Sequence, residues 1–284
     1  MLRKSYRAIE TGKKFCYNTK NKTEAGEKMS AKSDYIAVFD SGIGGISVLR
    51  ELIKQLPQER YLYFGDSANA PYGQRSTEEI RALTIAAAEM LLARGTKALV
   101  LACNTATAVA VEALRRQYPD KIIIGIEPAL KVAADHFPGK RIGVLATPVT
   151  LGEEKFCHQL ERFPDAQVVS VPITGLVELI EAGKGESPEA EQLLAKQLTP
   201  YAGKLDAAVL GCTHYPFAAR TILKILGVHT VLLDGSAGTA RETKRRLEKA
   251  GLLREGPGEL QIENSSTDPM ILQRCMKLLE TKTC

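Results

Sequence analysis

The chain has 284 residues, of which 44% are hydrophobic and 25% are charged, a composition typical of a globular protein with a large core. Its net charge of +5 is uneven: residues 1–33 hold nine Lys and Arg against three Glu, and the remaining 29 basic and 30 acidic residues leave the body at −1. This balance does not support a phosphate-binding surface, so we predict no nucleic-acid partner. No apolar run reaches the roughly 18 residues of a spanning helix, so we expect a soluble protein without a membrane partner.

The first 33 residues form a basic N-terminal extension. They lack the apolar stretch of a secretory signal, and their polar, Lys-rich composition is typical of disordered chain. We therefore predict disorder over 1–33, with Met29 as an alternative start, and a cytoplasmic location. The six cysteines are widely spaced and include no Cys-x-x-Cys pair, so the sequence predicts neither a disulfide framework nor a structural metal site.

From residue 35 onward, short apolar runs alternate with helical patterns, as in α/β folds with mostly parallel sheets. Ser76 and Glu79 form a capping box that opens a helix ended by Gly95. Three later helices are predicted to open at a cap followed by a proline: Ser187-Pro188, Tyr215-Pro216 and Asp268-Pro269. The predicted strands are Tyr35–Phe39, Arg60–Phe64, Ala98–Ala102, Ile122–Ile126, Arg141–Leu145, Gln167–Val171, Ala207–Leu210 and His229–Leu233.

Three pairs of these strands resemble one another in the same order and at nearly the same separation along the chain. The clearest pair ends in Leu99-Val-Leu-Ala-Cys103 and Ala208-Val-Leu-Gly-Cys212. We therefore predict two pseudo-symmetric, related α/β domains with mostly parallel sheets and an active-site cleft between them. The first domain comprises 34–129 plus 237–284, where C-terminal helices pack back on it, and the second comprises 130–236.

The unusual motifs all follow predicted strands, where ligands bind in open parallel sheets. Asp40-Ser-Gly-Ile-Gly-Gly45 has nearly the spacing of a dinucleotide site, but the charge of Asp40 would repel a pyrophosphate. We interpret it as a glycine turn whose helix N–H groups bind a small carboxylate. Pro71-Tyr72-Gly73 lies in a long polar loop of the kind that often binds ligands.

Cys103-Asn104-Thr105 and Cys212-Thr213-His214 each place a thiol at a strand end, followed by hydrogen-bond donors. Thiols at equivalent positions of related halves are predicted to face each other across the cleft. Inversion of a carbon centre needs such a pair, because one group removes a proton and the other returns one to the opposite face. We predict that His214 lowers the pKa of Cys212 or passes a proton, and that Asp40 meets a substrate ammonium or accepts a thiol proton. The other cysteines are interpreted as structural.

Four segments, in this order and spacing, resemble the glutamate-specific members of the aspartate/glutamate racemase family over residues 35–280. They are Asp40-Ser-Gly-Ile-Gly-Gly45, Asp66-Ser-Ala-Asn-Ala-Pro-Tyr-Gly73, Ala102-Cys-Asn-Thr-Ala-Thr107 and Leu210-Gly-Cys-Thr-His-Tyr-Pro216. The resemblance implies interconversion of L- and D-glutamate with Cys103 and Cys212 as the two bases. It implies substrate contacts from Asp40, Ser41, Tyr72, Gly73, Asn104, Thr105, Thr147, Thr150, Glu181, Thr213 and His214.

The same resemblance implies an enzyme without pyridoxal phosphate, metal or other cofactor, commonly a homodimer, that supplies D-glutamate for bacterial peptidoglycan. Three rival functions are open on the residues alone. A related racemase acting on aspartate or a hydantoin would keep the cysteine pair and change the carboxylate pocket. A small-anion binding module would keep the donors without turnover, and a thiol redox protein is disfavoured because Cys-x-x-Cys is absent.

Overall fold

The computed structural model describes residues 16–18, 34–127 and 129–281. The predicted disordered extension over 1–33 lies outside these residues except at Cys16–Asn18, which form a short strand, β1, where disorder was predicted. Two parallel sheets with helices packed around them confirm the predicted α/β class. Among the described helices, none is both long enough and apolar enough to cross a membrane.

The ten described strands divide between two sheets. Besides β1, the first sheet contains β2 (Tyr35–Asp40), β3 (Arg60–Gly65), β4 (Thr96–Leu101), β5 (Ile122–Gly125) and β10 (Glu259–Asn264). The second sheet contains β6 (Arg141–Ala146), β7 (Gln167–Pro172), β8 (Ala207–Leu210) and β9 (Val231–Asp234). All eight predicted strands are present, with their ends within two residues of the prediction.

The strand order supports the internal repeat. The first sheet has the order β1-β10-β3-β2-β4-β5, the second has the order β7-β6-β8-β9, and every pairing between described strands is parallel. The run β3-β2-β4-β5 therefore matches the second sheet strand for strand. Cys103 follows β4 and Cys212 follows β8, so the two thiols end equivalent strands.

Eleven α-helices are described. They are α1 (Ile46–Gln55), α2 (Thr77–Leu92), α3 (Asn104–Gln117), α4 (Leu130–His136), α5 (Pro148–Gly152), α6 (Glu154–Glu161), α7 (Leu176–Glu181), α8 (Pro188–Leu198), α9 (Ala219–Leu226), α10 (Ser236–Lys249) and α11 (Ile271–Glu280). The predicted capping box at Ser76 is confirmed, since its hydroxyl accepts from the Glu79 N–H and the Glu79 carboxylate accepts from the Ser76 N–H. The cap predicted at Ser187 is confirmed as well.

Three predictions in the C-terminal half need correction. The strand β10 lies where only helices were predicted, and its alternating buried residues Leu260 and Ile262 are the signal for it. The helix expected at Asp268-Pro269 begins later, at Ile271, because the Asp268 carboxylate turns back to accept from the Met270 N–H at 2.8 Å. At Tyr215-Pro216 the chain forms a short 3₁₀ turn before α9 begins.

The central strand β2 is buried on both faces, as a continuous apolar run predicts. Ile36 and Val38 join the hydrophobic cluster on one face of the sheet, whereas Ala37 and Phe39 join the cluster on the other. Helices α10 and α11 pack against α1 on the first of these faces, and α2 packs against α3. We propose that the domain boundaries follow the two sheets, with 237–284 belonging to the first.

Candidate active site

A cavity lies where strands of both sheets end. The residues that line it follow β2, β3 and β4 of the first sheet and β6, β7 and β8 of the second. Ten predicted site residues line it: Ser41, Tyr72, Gly73, Cys103, Asn104, Thr105, Thr147, Cys212, Thr213 and His214. The two thiols therefore reach one cavity from different sheets, as their positions in the sequence predict.

Asp40, Thr150 and Glu181, also predicted as site residues, lie outside the cavity lining. Each makes a hydrogen bond to a residue that does line it. They bond respectively to Thr213, Thr105 and His214. All three therefore contact the cavity wall, and their predicted contacts with a substrate stay a prediction.

Cys103 caps the N-terminus of α3. Its sulfur accepts from the Ala106 N–H at 3.5 Å and lies 3.3 Å from the Ser41 hydroxyl. Burial, and then the nearby charge of Asp40, raises the pKa of this thiol to about 12, although both hydrogen bonds oppose the shift. Cys103 is therefore held as a protonated thiol, with two donors ready to receive the thiolate when its proton leaves.

Cys212 lies beside an imidazole. The His214 Nδ1 is 3.7 Å from the sulfur, and its Nε2 is 2.7 Å from the Glu181 carboxylate. Because a carboxylate only accepts, Nε2 carries the proton and Nδ1 faces the thiol. Burial lowers the pKa of His214, but its hydrogen bonds to Cys212 and Glu181 outweigh that effect and raise the pKa well above its usual value. His214 is thus suited to hold the Cys212 proton.

The glycine turn after β2 donates to a carboxylate of the protein itself, whereas the sequence predicted that it binds a small carboxylate ligand. The Ile43 N–H donates to Glu181 at 2.7 Å. Glycine is required here for close approach, since a Cβ on Gly42 would lie 1.9 Å from the Glu181 carboxylate and one on Gly44 would lie 2.3 Å from His214. The glycine turn of the first half therefore packs against Glu181 and His214, the side chains beside Cys212 in the second half.

Asp40 joins the two halves in the same region. Its fully buried carboxylate accepts from the Gly42 N–H and from the Thr213 hydroxyl, both at 3.0 Å. Burial raises the pKa of Asp40, whereas the charge of His214 and these hydrogen bonds lower it in part. Ser47 adds a second tie, since its hydroxyl lies 3.0 Å from the Thr213 carbonyl.

Two groups of polar side chains form the remaining wall of the cavity. The hydroxyls of Thr105 and Thr147, which line it, and that of Thr150 behind them lie within 3.0 to 3.3 Å of one another. Both polar atoms of the Asn104 amide are buried, and within the described residues neither has a hydrogen-bond partner. A buried amide of this kind is suited to a ligand that offers both donors and acceptors.

The loop that carries Tyr72 and Gly73 is held by Asp66, which opens the same segment of the family resemblance but was not predicted as a site residue. The Asp66 carboxylate accepts from the Tyr72 hydroxyl and from the Ser265 hydroxyl, each at 2.7 Å. Pro71, which belongs to the predicted binding loop, also lines the cavity, and so does Val177, which was not predicted. Val177 lies in an amphipathic helix, where the sequence alone cannot distinguish a valine that lines a cavity from one that packs in the core.

Within the described residues, no group of three or more His, Cys, Asp or Glu side chains is placed to hold a metal ion. None of the residues described as lining the cavity is a lysine, the residue with which pyridoxal phosphate forms its Schiff base. Besides Cys103 and Cys212, Cys275 is a buried free thiol, on α11. The side chains of the other three cysteines are not described.

The chain is similar to known proteins over most of its length. A family model described as Asp/Glu/Hydantoin racemase matches residues 36–243. A relative named glutamate racemase from Clostridium perfringens is 46% identical over 255 residues, which cover 88% of this chain and 98% of the relative.

Solved structures are similar as well. The glutamate racemase of Francisella tularensis in complex with D-glutamate has a TM-score of 0.78 at 28% identity, with 89% of this chain and 96% of that one covered. The glutamate racemase of Thermus thermophilus in complex with β-chloro-D-alanine has a TM-score of 0.75 at 33% identity, with 89% and 95% covered.

Proposed function

Because the chain belongs to the Asp/Glu/Hydantoin racemase family, we propose that it interconverts L- and D-glutamate. The observation that carries this proposal is that Cys103 and Cys212, which end equivalent strands of two sheets, line the same small cavity. Inversion needs an acid and a base on opposite faces of one carbon, and two thiols reaching one cavity from different sheets meet that need. Glutamate is favoured over other substrates by the names of the similar proteins.

In one direction of the proposed reaction, Cys212 is the base. Its proton passes to His214 Nδ1, while Glu181 holds the resulting imidazolium through Nε2. The thiolate then removes the α-proton, and Cys103, whose pKa is raised to about 12, gives its own proton to the opposite face. The Ser41 hydroxyl and the Ala106 N–H receive the new thiolate. The reverse direction starts from the opposite protonation of the two thiols.

The other cavity residues supply binding. We propose that the unpartnered amide of Asn104 and the hydroxyls of Thr105 and Thr147 hold the substrate carboxylates and ammonium. The N–H groups at the start of α3 add positive potential at one end of the cavity. Asp40 supports the site from behind the wall, because its carboxylate fixes Thr213 and its charge adds to the burial that raises the pKa of Cys103.

We further propose that the reaction uses no cofactor, since two thiols suffice for both proton transfers. The family resemblance supports three more proposals: a cytoplasmic homodimer, a role in supplying D-glutamate, and its use for bacterial peptidoglycan. Restored growth of a bacterium that requires D-glutamate tests the cellular role. Sedimentation equilibrium tests the dimer.

The activity itself is tested by polarimetry on the purified full-length protein. Each glutamate enantiomer is supplied separately without added cofactor, and both solutions should lose their rotation at rates that fall after thiol alkylation. Aspartate and a hydantoin are run in parallel as the rival substrates. Faster racemisation of either, or binding of glutamate without turnover, would contradict the proposal.

A further inference from the structure

The carboxylate of Glu181 is held by donors from both halves of the molecule. On the second half, His214 donates to Oε1 at 2.7 Å. From the first half, the Ile43 N–H donates to the same oxygen at 2.7 Å, and the Ser67 hydroxyl donates to Oε2 at 3.1 Å. The Glu181 side chain is only 15% exposed and that of His214 2%, so these bonds are shielded from water.

The direction of the Ser67 hydrogen bond is fixed by its neighbours. The Asn264 amide at the end of β10 donates from Nδ2 to the Ser67 oxygen at 2.9 Å. The orientation of this amide is itself set, because its Oδ1 accepts from the Ser266 N–H at 2.8 Å. The Ser67 oxygen therefore acts as an acceptor toward Asn264, and its proton points to Glu181.

Glu181 in turn determines which nitrogen of His214 faces Cys212. With Oε2 tied to Ser67 and Oε1 tied to Ile43, the carboxylate cannot rotate away from the imidazole. The Nε2 proton then stays on the Glu181 side, and Nδ1 stays 3.7 Å from the Cys212 sulfur. Without the Ser67 hydroxyl, Oε2 would lose its donor and the imidazole its fixed orientation.

We propose that Ser67 is a positioning residue for proton transfer at Cys212, acting through Glu181 and His214 from the opposite half of the molecule. Within the part of the chain that the structure describes, Cys103 has no corresponding connection, since its hydrogen-bond partners there are Ser41 and Ala106. The inference rests on the proposed function and adds that the proton transfer at Cys212 depends on Ser67, whereas the transfer at Cys103 does not. A defect at Ser67 should slow one of the two proton transfers and leave the other unchanged.

The test compares Ser67→Ala with the unaltered full-length protein, using each glutamate enantiomer with hydrogen or deuterium at the α-carbon. We expect kcat to fall about tenfold, the loss for one hydrogen bond to a charged group, with little change in KM. The two enantiomers are equally stable, so kcat/KM is equal in both directions and cannot show the asymmetry. The isotope effect can show it, because each direction breaks the C–D bond with a different thiol.

When Cys212 removes the deuteron, the slowed step is the one that carries the label, and the isotope effect should rise. When Cys103 removes it, the slowed step is the later protonation by Cys212, and the isotope effect should fall. Ser265→Ala is the matched control, because Ser265 ties the same loop through Asp66 and makes no hydrogen bond to Glu181. It should change binding without splitting the two isotope effects.

Ser67→Thr, which keeps the hydroxyl, should restore both the rate and the isotope effects. Equal isotope effects in the two directions of a folded Ser67→Ala protein, or a split of the same size in Ser265→Ala, would overturn the inference. Circular dichroism and a melting curve establish folding for each variant. Absence of turnover by the unaltered protein would contradict the proposed function and this inference with it, whereas turnover with an unsplit isotope effect contradicts the inference alone.

Discussion

The two halves of the molecule place a thiol at the same point of the fold and surround it differently. Cys103 caps a full helix, and its nearest partners are a hydroxyl and a backbone N–H. Cys212 precedes a short 3₁₀ turn and lies beside His214, which Glu181 supports. The run β3-β2-β4-β5 and the second sheet have the same strand order, so the difference lies in the side chains and in the turn that follows each thiol.

This difference shows how a pseudo-symmetric scaffold can give two like groups opposite starting states. Burial without a cation keeps Cys103 protonated, whereas the imidazole beside Cys212 can take its proton. An inverting enzyme needs one base and one acid at the start of each turnover. In the proposed reaction, the asymmetry of the surroundings supplies that condition, although the two thiols are chemically identical.

The largest effect is expected from removing either thiol. Cys103→Ser and Cys212→Ser should each lower kcat about a thousandfold or more, because a hydroxyl is a far weaker acid than a thiol. The double variant should cost little more than either single one, since the two groups act as a unit. Polarimetry at equal enzyme concentrations checks this. A single variant that keeps a tenth of the normal rate would show that the substituted thiol is not one of the two bases.

A smaller effect is expected at the groups that distinguish the two sites. His214→Asn should lower kcat about a hundredfold, because the proton of Cys212 then has no acceptor. Ser41→Ala, which removes a neutral partner of Cys103, should lower it only about threefold. Steady-state kinetics in both directions measure kcat for the two variants. Similar losses of kcat would contradict the proposed difference between the surroundings of Cys103 and Cys212.

Much of this arrangement can be predicted from the sequence, because strand ends are fixed by topology. Cys103 and Cys212 follow apolar runs that resemble each other, and equivalent strands of two parallel sheets bring their ends to corresponding places. The polar residues that follow them, from Asn104 to His214, come to the same cavity for the same reason.

Contacts between the halves were beyond sequence reasoning. Glu181 lies at the end of an ordinary amphipathic helix, and nothing in the sequence connects it with Ile43 or Ser67. Its place depends on how the two sheets are oriented, which local pattern does not determine. The glycine turn was interpreted as a site for a small carboxylate ligand, and its N–H donation to Glu181 depends on that same orientation.

The order in which the thiols are alkylated sharpens the comparison without changing the protein. The thiolate is the reactive form, and the raised pKa of Cys103 leaves little of it at neutral pH. Iodoacetamide at pH 7.5 should therefore modify Cys212 at least about tenfold faster than Cys103. Peptide mass spectrometry over a time course measures both rates, and glutamate should protect both sites. Faster modification of Cys103 would contradict the proposal that Cys103 starts as the protonated thiol and Cys212 as the base.

The smallest effect is expected in the stability of the protein at alkaline pH. The pKa of Cys103 is raised to about 12 in the folded state, first by burial, whereas an unfolded thiol titrates near 8.5. Above that value the unfolded chain loses a proton that the folded protein keeps. The stabilisation is therefore complete below pH 8.5 and is lost as the pH rises toward 12, with a limiting slope of about 1.4 kcal/mol per pH unit.

Urea denaturation between pH 7.5 and 10.5 isolates this contribution when the unaltered protein is compared with Cys103→Ala. The free energy of unfolding of the variant should decline less steeply over that range. Cys275→Ala is the matched control, because burial also raises the pKa of Cys275 to about 12 and the proposed reaction does not use this thiol. Both variants should show the same flattening if burial is the cause. A flattening in Cys275→Ala alone would mean that Cys103 is already ionised in the folded protein, and the difference between the two thiol sites would disappear.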